Sequence, residues 1–331
     1  MPSLRIATFN LENLGSRTAD DERMIVARIA ALQPKLLELD ADILCLQEVN
    51  PQTVGAHHQR ALATLDRILE NTPYASYQRV ATESESGKRL ADRHNLVILS
   101  RFPVIAHRQI RHELLPPLSY APVTAAGKSA PPIENRFDRP FLYAELALSD
   151  RRKLHVLNLH LKAPIAVAIP GQKASASVWK SIGGWAEGFY LASLRRSAQA
   201  LEVRLTVEQL LDADADALIA VCGDCNAEAH EVPVRIILGD PDDTGNPGLA
   251  ARAMAPVESS VPAERRYSVL HAGRRVMLDH ILASRALAAC HVATRIANQF
   301  LKDEVFDARP EAQICDSFHA PVIAEFACPD R

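Results

Sequence analysis

The chain has no long apolar run and no strong excess of charge of either sign. None of its apolar runs approaches the ~20 residues that a membrane-spanning helix requires, so we expect no membrane span. Its 37 basic and 40 acidic residues give a formal net charge of −3. This balance argues against a dedicated, strongly basic nucleic-acid-binding protein, although it is compatible with a local basic groove.

The sequence also lacks several motifs whose chemistry is well defined. It contains no G-x-S-x-G elbow, which disfavours a nucleophilic serine, and no G-x-x-x-x-G-K-[ST] loop, which disfavours an ATPase. No repeat of roughly 20–50 residues is present, so a solenoid is not expected. The first residues lead into a β-like segment without the order of a secretion signal, and we therefore expect a cytoplasmic protein.

The composition is that of an ordinary globular protein, with 48% hydrophobic and 23% charged residues. At 331 residues, the length alone fits either one large domain or two small ones. The six cysteines lie mostly in apolar segments, where free buried thiols are commoner than a disulfide framework.

Short apolar runs alternate with amphipathic stretches along the chain, which predicts an α/β layered fold. The predicted buried strands are 4–9, 42–47, 96–100, 154–159, 217–222, 278–283 and 321–326. The predicted helices are 21–32, bent or ended near Pro34, 59–69 and 193–211. Long loops are predicted for 114–140, 162–190 and 240–266.

Polar residues recur where the predicted strands end, and binding sites in layered α/β folds gather at such ends. Side chains two residues apart on an extended chain share a face, so Asn158 pairs with His160 and Asp224 with Asn226. The remaining members of this set are Asn10 and Glu48. We expect all of these side chains to line one site.

Cys222 and Cys225 have the spacing of a metal or redox pair. The same parity places Cys222 on the face of Asp224 and Cys225 on the opposite face if the chain stays extended. Zinc would need two further ligands, and no second close Cys/His pair occurs. A sharp turn would bring the thiols together, so parity weakens this alternative without removing it.

The oxygen ligands at the strand ends suit a hard cation such as Mg²⁺ or Mn²⁺. Towards the C-terminus, His319 directly precedes another buried strand. Asp279 and His280 are adjacent and must face opposite sides of their strand, so only one of them belongs to the site. We choose Asp279, because a carboxylate orients an imidazole and stabilises its charged form. His280 is then a packing or surface residue.

Eight segments occur in the order typical of the endonuclease/exonuclease/phosphatase superfamily, the DNase I-like enzymes, which this chain resembles from Ile6 to about Phe326. The segments are ATFNLENL, ILCLQEVN, NLVILSRFPV, RPFLYAELAL, VLNLHLK, VCGDCNAE, MLDHILAS and SFHAPV. The resemblance implies a single domain over residues 1–331, folded as a four-layer α-β-β-α sandwich of two mixed β-sheets. We expect a monomer.

The resemblance also implies roles for the candidate residues. Glu48 would be the main metal ligand with Asn10 beside it, and Asp224 would activate the attacking water. Asn226 would hold the phosphate or metal-bound water. The remaining phosphate-site residues would be His160, His319 with Asp279 orienting it, Asn158 and Arg139.

These roles imply a hydrolase that needs Mg²⁺ or Mn²⁺ and cleaves a DNA or RNA phosphodiester by in-line attack of water. The second substrate class is a phospholipid, a nucleotide or a sugar phosphate. The alternative from another class is a binding module that keeps the fold and has lost turnover. That alternative arises because Phe318 stands where family members commonly have a metal-binding Asp, which puts a second metal site in doubt. Asp316 is the nearest substitute in the sequence.

Both tryptophans, Trp179 and Trp185, lie in one segment with Phe189 and Tyr190. Aromatic rings among lysines can stack bases or line a lipid or aryl pocket. The interpretation that we favour is a lid whose aromatic side chains pack on the sandwich.

Overall fold

The computed structural model describes residues 3–15, 22–54, 59–87, 89–125, 131–149, 152–307 and 316–328. The strands are β1 (Leu4–Leu14), β2 (Ile43–Val49), β3 (Gln52–Val54), β4 (Gln59–Ala61), β5 (Gln78–Ala81), β6 (Asn95–Ser100), β7 (Val104–Ile110), β8 (Leu118–Tyr120), β9 (Ile133–Asn135), β10 (Phe141–Ser149), β11 (Arg152–His160), β12 (Leu218–Asp224), β13 (Met254–Pro256), β14 (Val269–His271), β15 (Arg274–Val276), β16 (Asp279–Ser284), β17 (His291–Ile296) and β18 (Val322–Phe326). The α-helices are α1 (Glu22–Leu39), α2 (Ala63–Leu69), α3 (Ile182–Ala213), α4 (Val232–Leu238) and α5 (Arg285–Ala288).

Two mixed six-stranded sheets carry the fold. The first has the order β17-β18-β1-β2-β6-β5, and the second has the order β13-β16-β12-β11-β10-β7. Each sheet contains one parallel pair at its centre, β1 with β2 in the first and β11 with β12 in the second, and its other pairs are antiparallel. The central strands are buried on both faces, which explains their unbroken apolar runs in the sequence.

Three apolar cores separate four layers. The central core holds Ile6 and Cys45 of the first sheet against Val156 and Cys222 of the second. A second core packs the outer face of the first sheet on α1 and α2, and a third packs the outer face of the second sheet on α3 and α4. The expected four-layer α-β-β-α sandwich is therefore confirmed.

Three helix predictions need correction, those for α1, α2 and α3. Helix α1 continues through Pro34 to Leu39, because Leu32 and Leu36 are both buried on the sheet and hold the turn on either side of the proline. The prediction of a helix over 59–69 is wrong at its start, since Gln59–Ala61 pairs with Gln52–Val54 as a hairpin strand. Residue 21, where the first helix was predicted to begin, lies outside the described residues.

Helix α3 begins at Ile182, eleven residues before the predicted start at 193. Ser181 caps it, with its hydroxyl accepting a hydrogen bond from the Gly184 amide at 2.9 Å. The first turns carry two more glycines and outward-facing aromatic side chains, so they lack the inward apolar period that marks the later turns. Within the described residues, no helix is long and apolar enough to cross a membrane.

Two buried carboxylates of α3 hold the segment that was predicted as a loop over 114–140. Glu202 accepts hydrogen bonds from the amides of His112 and Leu114, each at 2.9 Å. Nearer the start of the helix, Glu187 accepts from the Thr124 amide at 2.9 Å and from the Tyr120 hydroxyl at 2.9 Å. The segment also contains the short strands β8 and β9, which pair with each other.

Candidate active site at the strand ends

The polar residues singled out in the sequence meet at one end of the two sheets. In the second sheet, His160 of β11 pairs with Asp224 of β12, which pairs with Asp279 of β16. These three residues therefore form a row across three adjacent strands. From the first sheet, Asn10 reaches across to this row and donates a hydrogen bond from Nδ2 to Asp224 Oδ2 at 3.0 Å.

Asp224 lies at the centre of the site and is buried. Its Oδ1 accepts a hydrogen bond from the Asn226 amide at 2.8 Å, and His160 Nε2 lies 3.4 Å from its Oδ2. Burial and the negative charge of Asp279 raise the pKa of Asp224 to about 6. The carboxyl group is therefore ionised at neutral pH but is more basic than an exposed aspartate.

His319 and Asp279 form a close pair. His319 Nδ1 lies 2.7 Å from Asp279 Oδ2, and His319 Nε2 lies 4.0 Å from Asp224 Oδ2. Burial alone would lower the pKa of His319, but the Asp279 carboxylate outweighs it and raises that pKa to about 10. His319 is thus an imidazolium at neutral pH. Its amide is held at 3.0 Å by the hydroxyl of Ser317, which in turn donates to the Asn10 carbonyl.

His160, in contrast to His319, is a neutral imidazole. Arg139 Nη1 lies 2.6 Å from His160 Nδ1, so this nitrogen must accept the hydrogen bond and the proton must sit on Nε2. Burial and the neighbouring Arg139 charge lower the pKa of His160 well below its usual value. The site therefore holds one neutral imidazole and one charged one.

Glu48 lies near the end of β2 with a left-handed backbone, φ 60°. Its Oε2 accepts a hydrogen bond from the Asn13 amide at 3.0 Å, and its Oε1 lies 3.8 Å from His160 Nε2. Burial opposes its ionisation, but the contact with His94 and the hydrogen bond from the Asn13 amide help to lower the pKa of Glu48. The Glu48 carboxylate is consequently ionised at neutral pH.

The two asparagines of the second sheet have different surroundings. Asn158 is fully buried between the sheets, where Nδ2 donates to the carbonyls of Leu46 and Val97 and Oδ1 accepts from Gln47 Nε2 at 2.7 Å. Its amide group is therefore engaged by the first sheet. Asn226 is half-buried at the rim, and its Nδ2 donates to the Leu161 carbonyl at 3.0 Å.

Two titratable groups of this site, Glu12 and His94, were missed in the sequence. Glu12 accepts a hydrogen bond from the Phe318 amide at 2.7 Å and interacts electrostatically with Glu48 and His319. Burial raises the pKa of Glu12. The available signal was its two-residue spacing from Asn10, the same parity rule that linked the other pairs.

His94 touches the Glu48 carboxylate. Its Nδ1 lies 3.3 Å from Glu48 Oε2 and is a buried atom with no hydrogen-bond partner in the described residues. It lies immediately before β6, and a histidine that precedes a strand does not share the position after a strand end that marks most of the other site residues.

Asp316 does not replace the missing acid at position 318. Its carboxylate is held by Lys35 of α1, with Nζ 2.7 and 2.8 Å from the two oxygens. The side chain at 318 is itself a buried phenyl ring. A carboxylate that does interact with His319 is that of Glu12, which lies on β1.

The structure excludes the pairing of the two thiols. Cys222 belongs to the central core and Cys225 to the core beneath α3 and α4, so the turn after β12 leaves them on opposite sides, as parity predicted. A hydrogen bond with Cys45 and burial raise the pKa of Cys222, and burial raises the pKa of Cys225. Both groups are inert thiols at neutral pH.

His280 faces away from the site, as expected from its neighbour Asp279. It is fully buried, with Nδ1 2.5 Å from Glu258 Oε1 and Nε2 2.9 Å from the Ala227 carbonyl. The surface alternative for His280 is therefore excluded. Its packing role is to hold the backbone that directly follows Asn226.

Two groups of donors in this cleft have the chemistry of a hard-cation site. Asp224, Asp279 and His319 present ligand atoms within 4.8 Å of one another, and Asp279 Oδ1 is buried without a hydrogen-bond partner in the described residues. The Nδ1 atom of His319, however, already contacts Asp279 Oδ2 at 2.7 Å, and the raised pKa of His319 disfavours it as a ligand. The group around Glu48 fits Mg²⁺ or Mn²⁺ better, because it offers oxygen donors from Glu48, Asn10 and Glu12.

The sequence matches the model of the "Endonuclease/Exonuclease/phosphatase family" over residues 7–301. No curated protein matches the chain. Among solved structures, truncated TDP2 from Caenorhabditis elegans has 15% identity and a TM-score of 0.57, with 98% of each chain covered. A 3' phosphatase from Neisseria, NExo, bound to a product DNA hairpin, has 16% identity and a TM-score of 0.51, covering 98% of this chain and 99% of that one.

A protein from Beutenbergia cavernae described as an endonuclease/exonuclease/phosphatase has 17% identity and a TM-score of 0.53, with 98% of this chain and 72% of that chain covered. These likenesses establish the shared fold. The family match spans most of the chain, and the chain therefore belongs to the endonuclease/exonuclease/phosphatase family. This membership places it among phosphoesterases of the phosphodiesterase and nuclease type.

Proposed function

We propose that the protein is a metal-dependent phosphodiester hydrolase that cleaves DNA or RNA by in-line attack of a water activated by Asp224. The observation that supports this most strongly is that the Nε2 atoms of His160 and His319 lie 3.4 and 4.0 Å from Oδ2 of the buried Asp224. A base, a cation and a neutral hydrogen-bond donor then face the same small volume.

Asp224 is suited to accept a proton from water. Its oxygens are fixed by Asn10 and by the Asn226 amide, so the carboxylate has a defined direction, and its raised pKa makes it a stronger base than an exposed aspartate. The nearby Asn226 side chain would bind the substrate phosphate from the rim of the cleft. Asp279 has a separate role, because it orients His319 and keeps it protonated.

The positive groups would stabilise the charge that builds up on the phosphoryl oxygens. His319 donates from Nε2 as an imidazolium, and His160 donates from Nε2 as a neutral imidazole held by Arg139. The Arg139 guanidinium adds a fixed positive charge behind His160. Asn158 supports this pocket by fixing β11 against the first sheet, with its amide engaged there rather than turned to the phosphate.

A divalent cation, Mg²⁺ or Mn²⁺, would be held by Glu48 and Asn10 with Glu12 beside them, and it would neutralise phosphoryl charge when bound. Glu48 is suited to this because its lowered pKa keeps the carboxylate ionised at neutral pH. Glu12 supports this proposal, because it brings a further carboxylate from β1 to the Phe318 amide, where the side chain at 318 offers no oxygen.

The test is a substrate panel with and without metal. Plasmid DNA, single-stranded oligonucleotides, RNA, sphingomyelin, small phosphoesters and bis-p-nitrophenyl phosphate would each be incubated with EDTA, Mg²⁺ or Mn²⁺. We expect hydrolysis of a nucleic acid that stops in EDTA and returns with either metal. Preference for sphingomyelin or a small phosphate ester would assign the enzyme's substrate to the second class. No turnover of any substrate would favour the binding module.

A further inference from the structure

A cavity separate from the site at the strand ends lies at the start of α3. It has a volume of about 320 Å³ and is lined by Trp179, Lys180, Ser181, Ile182 and Trp185. Both tryptophans of the chain therefore face one small space. This volume lies at the lower end of the range of small-ligand sites, roughly 300–1,000 Å³.

The predicted packing of aromatic side chains on the sandwich does not hold for Trp185 and Phe189. Trp185 is 45% exposed and Phe189 is 36% exposed, and their rings stack with centroids 5.4 Å apart and an interplanar angle of 24°. They lie on the first turns of α3, which project beyond the residues that α3 packs on the second sheet. The rings consequently form an outer surface instead of a lid.

The cavity walls are held in place before any ligand arrives. The segment before α3 folds back on itself, because the Lys180 amide donates to the Gln172 carbonyl at 2.8 Å and Lys173 forms an antiparallel β-bridge with Trp179. The Lys173 ammonium also lies over the Trp179 ring, 4.9 Å from its centroid. The hydroxyl of Ser181, at the start of α3, links the helix to the preceding segment by donating a hydrogen bond to Gln172 Oε1 at 2.7 Å.

The charge around this cavity is positive. Glu187 is the only acidic residue between 171 and 194, and its carboxylate is buried against Tyr120 and Thr124. Lys173 and Lys180 form no ion pair with any described residue, although each ammonium donates to a backbone carbonyl. A ligand here meets flat aromatic walls and ammonium groups without facing an exposed carboxylate.

We propose that this cavity binds an unpaired base of a single-stranded segment that extends from the cleavage site, an inference that rests on the proposed nuclease function. Every nucleobase has a π-face that stacks on indole, and the phosphate that follows it complements Lys180. Aromatic rings among lysines of this kind are typical of single-strand binding without sequence preference.

Helix α3 connects the cavity to the cleavage site. Arg196 of this helix donates a hydrogen bond to the Asn226 carbonyl at 3.0 Å, and Gln199 Oε1 accepts from the Lys162 amide beside it. Trp185 precedes Arg196 by eleven residues, which corresponds to roughly 16 Å along the helix. At the ~3.4 Å spacing of a stacked strand, this length of helix corresponds to about five nucleotides.

Fluorescence anisotropy with a labelled 12-nucleotide single strand tests this directly, in EDTA so that no cleavage interferes. We expect Trp185→Ala and Trp179→Ala to weaken binding about tenfold or more, and Trp185→Tyr to retain most of the affinity because its ring still stacks. The matched control is Phe300→Ala, which removes a 91%-exposed aromatic ring outside the cavity and should not change the affinity. Unchanged binding in both tryptophan variants, or no binding by the wild-type protein, would overturn the inference.

Two further measurements separate the alternatives. Bis-p-nitrophenyl phosphate is too short to reach the cavity, so its hydrolysis reports the cleavage site alone. A protein that binds the 12-mer through the tryptophans yet hydrolyses no phosphodiester would disprove the proposed function while supporting the base site. Binding to phosphatidylcholine/phosphatidylserine vesicles that depends on Trp185, with oligonucleotide affinity independent of it, would identify a lipid surface and overturn the proposal.

Discussion

The His319 imidazole is held as a cation by Asp279, whose Oδ2 lies 2.7 Å from its Nδ1. The pair brings a positive charge to within 4.0 Å of Asp224, the residue that we propose as the base. Because the folded-state pKa of His319 is raised to about 10, the pair contributes stability that is fully present below about pH 6.5 and is lost as pH rises through about 10.

Replacing Asp279 by Asn should move the alkaline limit of activity. Without the carboxylate, the largest contribution that raises the pKa of His319 is lost while burial still lowers it, so that pKa should fall from about 10 towards its ordinary value. We expect the wild-type rate to fall only near pH 10 and the Asp279→Asn rate to fall near neutral pH. The measurement is the pH dependence of kcat/KM for bis-p-nitrophenyl phosphate. An unchanged alkaline limit would show that protonated His319 is not required.

The acid limit of activity should reflect Asp224. Activity requires the carboxylate, so the rate should rise as pH increases through about 6. A bound cation further stabilises the anion and should move this rise to a lower pH. Asp224→Asn should lower kcat by at least about a hundredfold at pH 8 without unfolding the protein. Circular dichroism checks the fold, and a variant with wild-type kcat would refute the assignment of the base.

Glu48 and Glu12 should both contribute to metal affinity. Isothermal titration of Mn²⁺ should show a large loss of affinity, about a hundredfold, in Glu48→Gln, and a smaller loss, about tenfold, in Glu12→Gln, because each change removes one anionic oxygen donor. Glu264→Gln, on the exposed surface, is the matched control and should bind Mn²⁺ like wild type. If Glu12→Gln also behaves like wild type, Glu12 lies outside the metal site.

Asn158 should be needed for stability. Asn158→Leu keeps a similar volume but removes the Nδ2 donor to the carbonyls of Leu46 and Val97 and one acceptor of Gln47 Nε2 in a buried interface. We expect the free energy of unfolding to fall by about 2–4 kcal/mol, measured by urea denaturation. A change below about 0.5 kcal/mol would mean that water or a shifted side chain replaces these hydrogen bonds.

The alternation of short apolar strands with amphipathic helices predicted α/β layers, and the resemblance to the family implied the four-layer sandwich. Parity along strands also separated Asp279 from His280 and Cys222 from Cys225, since alternation is a local property of an extended chain. These conclusions needed no knowledge of which strands lie next to each other.

The errors occurred where long-range contacts decide the structure. The start of α3 was misplaced because Glu187, buried by Tyr120 and Thr124, anchors a segment whose aromatic residues face outward. Glu12 was missed because the left-handed backbone at that residue turns its side chain towards the Phe318 amide. The Glu187 contact leaves no local pattern in the sequence, and the two-residue spacing of Glu12 from Asn10 does not reveal the left-handed turn.

The central claim is that a divalent cation binds to oxygen atoms at the joined strand ends, and an anomalous-difference map from crystals soaked in Mn²⁺ tests it most directly. We predict one strong peak beside the Glu48 carboxylate and the Asn10 amide, and its loss in Glu48→Gln crystals. A fully soaked crystal with no peak in this cleft, or with its peak beside Cys222 or elsewhere, would contradict the account.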